Sequence, residues 1–490
     1  MPDLVFITAT NRLIPDDKQA RKLIRKQAMS KPAHARRKRG GYGQHNLIQY
    51  PIGILNEKES DERYYAAWEA IRAIAPSLPS CSYERLRTRY NFDLLDLSQL
   101  TSFHISYATA SSLASKPDML SDVLGRRHWS YLNYLPGRIG QNGALDKAAA
   151  CVAARAQQWL ASPSEPVSGS ILKLYSEALA DLQAELQCPD ACLGPDVLCA
   201  TELLGIYELL KMSTEDAWNY HSSGAAALIK LRGPERCQSD FEKALLLSHV
   251  GQIVIFSCHL RKDLSSARSF HDALNVNQNC FLSDDAWQAV LRSIPTNDNL
   301  FNDRSEPIVA LLTNVCHVPE YFHKTTQIIC VTRDDTPDYW FDDVMSNLHR
   351  LRLACLQWQE EYFGSPATGC PNMTIDTDRQ HEALGFSFAV SIVIHRLLFS
   401  LDPIANAHCE ETAQKFASEI LQIKKMSLSN ESQAELFMAI KLSVARTAQA
   451  TATKWNDWSK NAQLEPLTKS LLMPKEVFTD WCRRMNWETP

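Results

Sequence analysis

The sequence predicts an all-α protein: an array of packed antiparallel helices in a single large domain, with a basic N-terminal arm. Three observations lead there. Glycine is scarce, at 17 of 490 residues, while alanine and leucine are abundant, a balance that favours helix over sheet. Apolar residues recur at three- and four-residue spacing from about residue 147 towards the C-terminus. The breaks between these stretches are mostly short, so successive helices become antiparallel neighbours.

Composition sets the class. Hydrophobic residues at 45% and charged residues at 22% are ordinary for a soluble globular protein. A net charge of -5 predicts no overall attraction to nucleic acid. Residues 1–10 lack a basic leader followed by a long apolar run. No stretch reaches about 18 uninterrupted apolar residues; the best attempt, 386–401, is broken by Ser387, Ser391, His395 and Arg396. The expectation is an intracellular protein with no membrane segment, its 14 cysteines mostly thiols.

Four parts are expected: an extended segment and basic arm over 1–60, a helix and irregular linker over 61–146, a helical core over 147–363, and a C-terminal helical part of the same domain over 375–490. In the first, residues 3–8 read as extended. A helix-prone run over 16–29 carries Arg21, Lys22, Arg25 and Lys26 as a cationic stripe. Arg36, Arg37, Lys38 and Arg39 then form a basic cluster, read as a nuclear import signal or phosphate contact, or else as a solvated linker. Residues 62–74 show helical spacing, 82–100 show no clear period, and 100–112 read as irregular.

The array proper is expected to begin near Lys147. Helices are expected over 148–161, over 171–186 with Ile171, Tyr175, Ala178, Leu179, Leu182 and Leu186 on one face, and from Pro195 with Leu203, Leu204, Tyr207 and Leu210. The next opens on Ser213-x-x-Asp216, a weak capping box. Its face carries Trp218, His221, Ala225, Leu228, Ile229 and Arg232, and it closes on a left-handed Gly233 followed by Pro234. Trp218 reads as a packing residue, His221 as a hydrogen-bonded core histidine, Gly224 as a close helix approach, and Arg232 as a cap on helix-end carbonyls. A long apolar helix carries Leu246, Val250, Ile253 and Val254. A polar loop is expected over 264–281. Helices follow over 283–293, 307–315 and 341–362, then, after a break at 364–374, over 379–401, 410–426 and 431–451, with a short one in the tail.

This order of elements resembles the fungal-specific transcription factor domain. The resemblance rests on Lys173-Leu174-Tyr175-Ser176-Glu177-Ala178-Leu179, on Ala200-Thr201-Glu202-Leu203-Leu204-Gly205-Ile206-Tyr207-Glu208, and on Trp218-Asn219-Tyr220-His221-Ser222-Ser223-Gly224 leading to Leu228-Ile229-Lys230-Leu231-Arg232-Gly233. It is carried too by the Phe6-Ile7-Thr8 start and the Arg36–Arg39 cluster. It implies an all-α regulatory body, usually preceded by a zinc cluster of six closely spaced cysteines. Here the first cysteine is Cys81 and the next is Cys151, so the cluster is expected to be missing. The nearest substitute, Cys188 and Cys192 with Cys199 beyond, reads as a turn between helices.

Two readings of function stand. The first is a nuclear transcription-regulator-like protein, cytoplasmic in the alternative. It uses no cofactor and acts through protein partners, a homodimer or a small apolar ligand, and touches DNA only indirectly or weakly through the basic arm. The rival is an atypical Mg2+-dependent class I terpene cyclase-like enzyme of secondary metabolism, acting on an isoprenoid diphosphate. Asp334, Asp335 and Asp338 would be the metal ligands of that enzyme. Pro337 argues against it, because it breaks the helix that must hold the aspartates in register. The second metal motif of that class has only a misaligned match at Asn456-Asp457. No Walker loop, nucleophile elbow or dinucleotide fingerprint is present.

Overall fold

A computed structural model describes residues 79–101, 124, 127, 129–162, 165–211, 215–258, 280–294, 306–330, 338–363, 377–426, 431–464 and 472–485. All of these lie within Glu69–Pro490. The extended start, the basic run, Arg36–Arg39 and the helix expected over 62–74 lie outside the described residues, as do the capping residue Ser213, the bulk of the loop expected over 264–281, and the break at 364–374.

Fifteen α-helices and no strand occur among the described residues. Helical structure begins well before Lys147. Helix α1, Cys81–Tyr90, starts where Ser80 Oγ accepts from the Tyr83 amide at 3.0 Å, and stops at Asn91 with φ +46°. A 3₁₀ segment, Leu94–Thr101, follows with Leu94 and Leu97 fully buried. Neither was legible as a period, because α1 is rich in arginine and buries only Tyr83 and Leu86. After the single turn α2, Leu135–Arg138, Asn142 caps α3, Gly143–Ala161.

The first half is built round one helix. Helix α4 is Gly169–Leu186, α5 is Pro195–Lys211, α6 is Glu215–Arg232 and α7 is Asp240–Cys258. Every residue of α5 from Val197 to Leu210 is buried, so it has no outward face. Helices α3 and α6 cover most of it, with α4 and α7 completing the cover. On α4, Leu186 departs from the expected apolar face and is exposed.

Asp285–Arg292 forms α8, Glu306–Val315 α9, Val318–Cys330 α10 and Asp338–Phe363 α11. Helix α10 was not legible: the β-branched Thr325, Thr326, Ile328 and Ile329 depress helix propensity. Tertiary burial outweighs that, and Thr326 Oγ1 donates a hydrogen bond back to the Phe322 carbonyl at 2.8 Å. Helix α11 begins three residues before the expected start at Phe341, so that Tyr339 and Trp340 lie in its first turn.

The second half is built round α12, Thr377–Leu401, against which pack α11, α13 (Ala407–Met426) and α14 (Glu431–Leu464). The stretch His381–Leu401 is long and apolar enough to cross a membrane, but 89% of its most apolar window is buried inside the protein. Helix α14 continues 13 residues past the expected end at Thr451. Helix α15, Lys475–Arg484, closes on α14 and α10 with Trp481 and Cys482 fully buried. Helix α10 touches α7, α11, α12 and α15, and so ties the halves together.

At the centre of the second half Arg396 is 0% exposed. Its guanidinium donates to both Glu410 carboxylate oxygens at 3.1 and 2.7 Å, to Thr451 Oγ1 at 2.7 Å and to the Ala448 carbonyl at 2.8 Å. It lies over the rings of Trp455 and Trp481, 4.2 and 5.6 Å from their centroids. Glu410→Ala removes the counter-ion and leaves the charge buried, which is expected to cost about 3–5 kcal/mol, read as a lower urea midpoint at unchanged slope. The Arg396→Met/Glu410→Leu double replacement is expected to recover most of that loss. A Glu410→Ala protein as stable as the parent contradicts this account.

Candidate functional site

Between α5, α6 and α7 lies a small cavity of about 30 Å3, partly open to solvent, whose walls include Tyr131, Glu202, His221, Trp218, His249 and Gln252. Its geometry starts from α5. That helix carries Glu202 into a position only 6% exposed. Ser248 Oγ on α7 donates to Glu202 Oε2 at 2.8 Å, while Oε1 has no hydrogen-bond partner. The next residue on α7, His249, brings Nδ1 to 3.6 Å from that oxygen. Its Nε2 lies 3.1 Å from the Ser222 carbonyl of α6. A carbonyl only accepts, so Nε2 carries the proton, and Nδ1 of the neutral ring presents a lone pair to Glu202.

Burial without a cationic neighbour drives the Glu202 carboxyl well above the usual carboxylate range, the Ser248 hydrogen bond opposing it only in part. Burial also pushes His249 down to about 4, against a small opposing effect of the Ser222 carbonyl. His221 is pushed down to about 4 by burial. Its Nε2 is 3.0 Å from the Tyr175 hydroxyl on α4, and Tyr175 stacks on Tyr207 at 4.4 Å between centroids.

The motif residues on α6 separate into roles. Trp218 is buried and lines the cavity beside His221. A Cβ at Gly224 would stand 3.8 Å from Thr201 Cγ2, ordinary van der Waals contact, so the packing leaves room for a methyl group there. The close approach expected at Gly224 is therefore no tighter than common side-chain packing. Gly233 has φ +75° and ψ 164°, an extended positive-φ conformation open essentially to glycine rather than the expected left-handed turn. Arg232 caps no carbonyl of its own helix. Its guanidinium donates to the Leu193 carbonyl before α5 and to Glu242 Oε1 on α7 at 2.6 Å, so it joins three elements at the motif's end. Glu242 in turn forms a capping box with Ser239, accepting from the Ser239 amide at 3.0 Å.

The remaining candidates are placed as follows. Cys188 is exposed, Cys192 half-buried and Cys199 buried, and no group of three or more metal-ligating side chains is gathered among the described residues. Asp334 and Asp335, like Arg36, Arg37, Lys38 and Arg39, lie outside the described residues; Asp338 is the first residue of α11. Ser248 and His249 were not singled out from the sequence, and Glu202 was read only as part of the Ala200–Glu208 motif, with no role in a site. Glu202, beside Thr201, and the adjacent Ser248 and His249 are short polar interruptions of apolar helical runs, and only the incompatibility of a charge at 202 with burial on every side could have marked the site.

The fold is all-α, and this cavity lies among the helices of its first half. The fungal specific transcription factor domain matches residues 130–423, and the chain belongs to that family. It therefore carries the domain of a transcription-regulator-like protein. It is also similar to the uncharacterized protein AN5342 of Emericella nidulans, 27% identical over 165 residues. That match takes in 32% of this chain and 31% of the relative, so it spans about a third of the relative's length. No solved structure matches the chain.

Two outcomes follow from the site. Gly224→Ala is expected to raise stability by about 0.5–1 kcal/mol, the helix-interior advantage of alanine over glycine; a lower unfolding midpoint would show that the gap to Thr201 is not available. The titrations carry opposite signs. The histidines, held neutral, lose stability as pH falls from about 6.5 to about 4. Glu202, held protonated, loses it as pH rises above the usual carboxylate range. Unfolding midpoints across this range should lose part of the acid-side decline in His249→Gln, and the opposite slope in Glu202→Gln.

Proposed function

We propose that this chain is the helical regulatory body of a fungal transcription regulator, acting in the nucleus by receiving a small ligand in the α5–α7 cavity and presenting the result to protein partners or a second copy. The observation that carries the reading is the coincidence of two features. The cavity lies within the family-matched span, and its walls are the same helices that hold the Thr201–Glu202 and Trp218–His221 motifs. A buried carboxyl with an unpartnered oxygen is costly to keep for structure alone, which supports a binding role. Arg36, Arg37, Lys38 and Arg39 serve this reading as the import signal or phosphate contact. DNA contact through the arm alone would be weak and steeply salt-dependent.

The test uses the whole chain fused to a heterologous DNA-binding domain in a fungal reporter strain, with a fluorescent tag. Reporter output is expected to change several-fold, and the tagged protein to accumulate in the nucleus. Alanine at all four of residues 36–39 is expected to spread it into the cytoplasm. An unchanged reporter with cytoplasmic protein overturns the reading. Mg2+-dependent release of diphosphate from a prenyl diphosphate, lost in Asp334→Ala, would replace it with the enzyme.

A further inference from the structure

We propose that the cavity between α5, α6 and α7 is a binding site for the head of a small primary ammonium compound, held between Glu202 Oε1 and His249 Nδ1. This inference rests on the reading of the cavity as the ligand-receiving part of the regulator, and names the ligand's chemistry.

Glu202 Oε2 already accepts from Ser248, and His249 Nε2 already donates to the Ser222 carbonyl. The two atoms left, Oε1 and Nδ1, face each other at 3.6 Å. With the carboxylate ionised both are acceptors, and no protein donor satisfies Oε1. Four things can fill such a gap: a proton on the carboxyl, a proton on His249 Nδ1, which burial of the ring disfavours, a water giving both its hydrogens, or a ligand group with at least two N–H donors. A primary ammonium satisfies both acceptors and supplies the missing positive charge as well.

The walls select for that charge. No Lys or Arg is among the residues that line the cavity, and Tyr131 and Trp218 present aromatic rings to it, which favour an organic cation. The titratable groups facing Glu202 are Tyr131 from the 3₁₀ turn before α2, Cys199 from its own helix and His249 from α7, with His221 of α6 on the same cavity. All are neutral or held neutral, so none competes as counter-ion. A volume of about 30 Å3 admits an ammonium head with little more than a methyl group, and the partial opening lets a longer alkyl chain leave. An anionic ligand would meet a carboxyl and an imidazole lone pair and be excluded.

The proton balance is explicit. The empty site holds Glu202 as the neutral acid; binding replaces that proton with the ammonium group and releases it to solvent. Affinity therefore rises with pH by about tenfold per unit while the empty site remains protonated.

The test is unfolding-midpoint and calorimetric titration of the whole purified chain with methylammonium and butylammonium chloride, against tetramethylammonium chloride and sodium acetate at matched ionic strength. The primary ammonium salts are expected to raise the midpoint with dose, and to release a proton detected by comparing buffers of different ionisation enthalpy. Tetramethylammonium, which has no N–H, and acetate are expected to do neither. Glu202→Gln, close in shape to the neutral acid, is expected to lose the response at least tenfold, while the surface variant Glu361→Gln keeps it. Should Glu202→Gln fail to fold, proton release and its pH dependence on the unaltered chain decide the same point. No response to either primary amine means the gap holds only water, and overturns the inference. So does an equal response to acetate or tetramethylammonium, or a response that survives Glu202→Gln. Amine binding by a chain silent in the reporter overturns the regulatory reading alone; an active reporter without amine binding overturns only this inference.

Discussion

A helix with no outward face must find, inside the protein, a partner for every polar group it carries, because an unpaired buried donor or acceptor costs a large part of a domain's net stability. Helix α5 from Val197 to Leu210 and the stretch of α12 from Ala389 to Leu401 are in that position, and each half of the fold is arranged to answer it. Along that stretch of α12 the charged group is answered in full: Arg396 finds a carboxylate, a hydroxyl, a carbonyl and two aromatic faces. Around α5 it is incomplete, because Glu202 Oε1 is left without a hydrogen bond. The difference separates a polar group that holds structure together from one that marks a site.

The contrast also explains the shape of the first half. The α5–α6 contact passes Gly205 and Gly224, with His221 Cβ and Thr201 Cγ2 as the opposing atoms. Arg232 fixes the far end of α6 to the segment before α5 and to Glu242 of α7. With α6 and α7 held in this way, Ser222, Ser248 and His249 are presented to Glu202 from two directions, and the cavity is what remains between them.

Much of the array was legible because amphipathic helices of ordinary length write their period into the chain. The faces of α4, α5, α6 and α7 could be read residue by residue, with Leu186 the departure. What could not be read had physical reasons. Helix α1 buries only two residues, Tyr83 and Leu86, so it has almost no apolar period. Helix α10 is held by its neighbours against the propensities of its own threonines and isoleucines. Helix α14 runs on to Leu464 through residues that look equally suited to a loop. At the site, His221 and Trp218 could be singled out because they belong to a recognisable motif. Glu202 stands in a recognisable motif too, but its role could not be read, because a glutamate in a leucine-rich helix reads as its solvent side, and only the surrounding helices reveal that it has none.

The partners of Arg396 bear on where this domain can be cut. The family match ends at residue 423, inside α13, yet Ala448, Thr451, Trp455 and Trp481 all lie beyond it. A fragment trimmed to the matched span would keep the guanidinium and Glu410 but strip away half of their enclosure, opening the middle of the second half to water. The smallest autonomous piece is accordingly longer than the recognisable one, and its C-terminal limit is set by a tryptophan near the end of the chain.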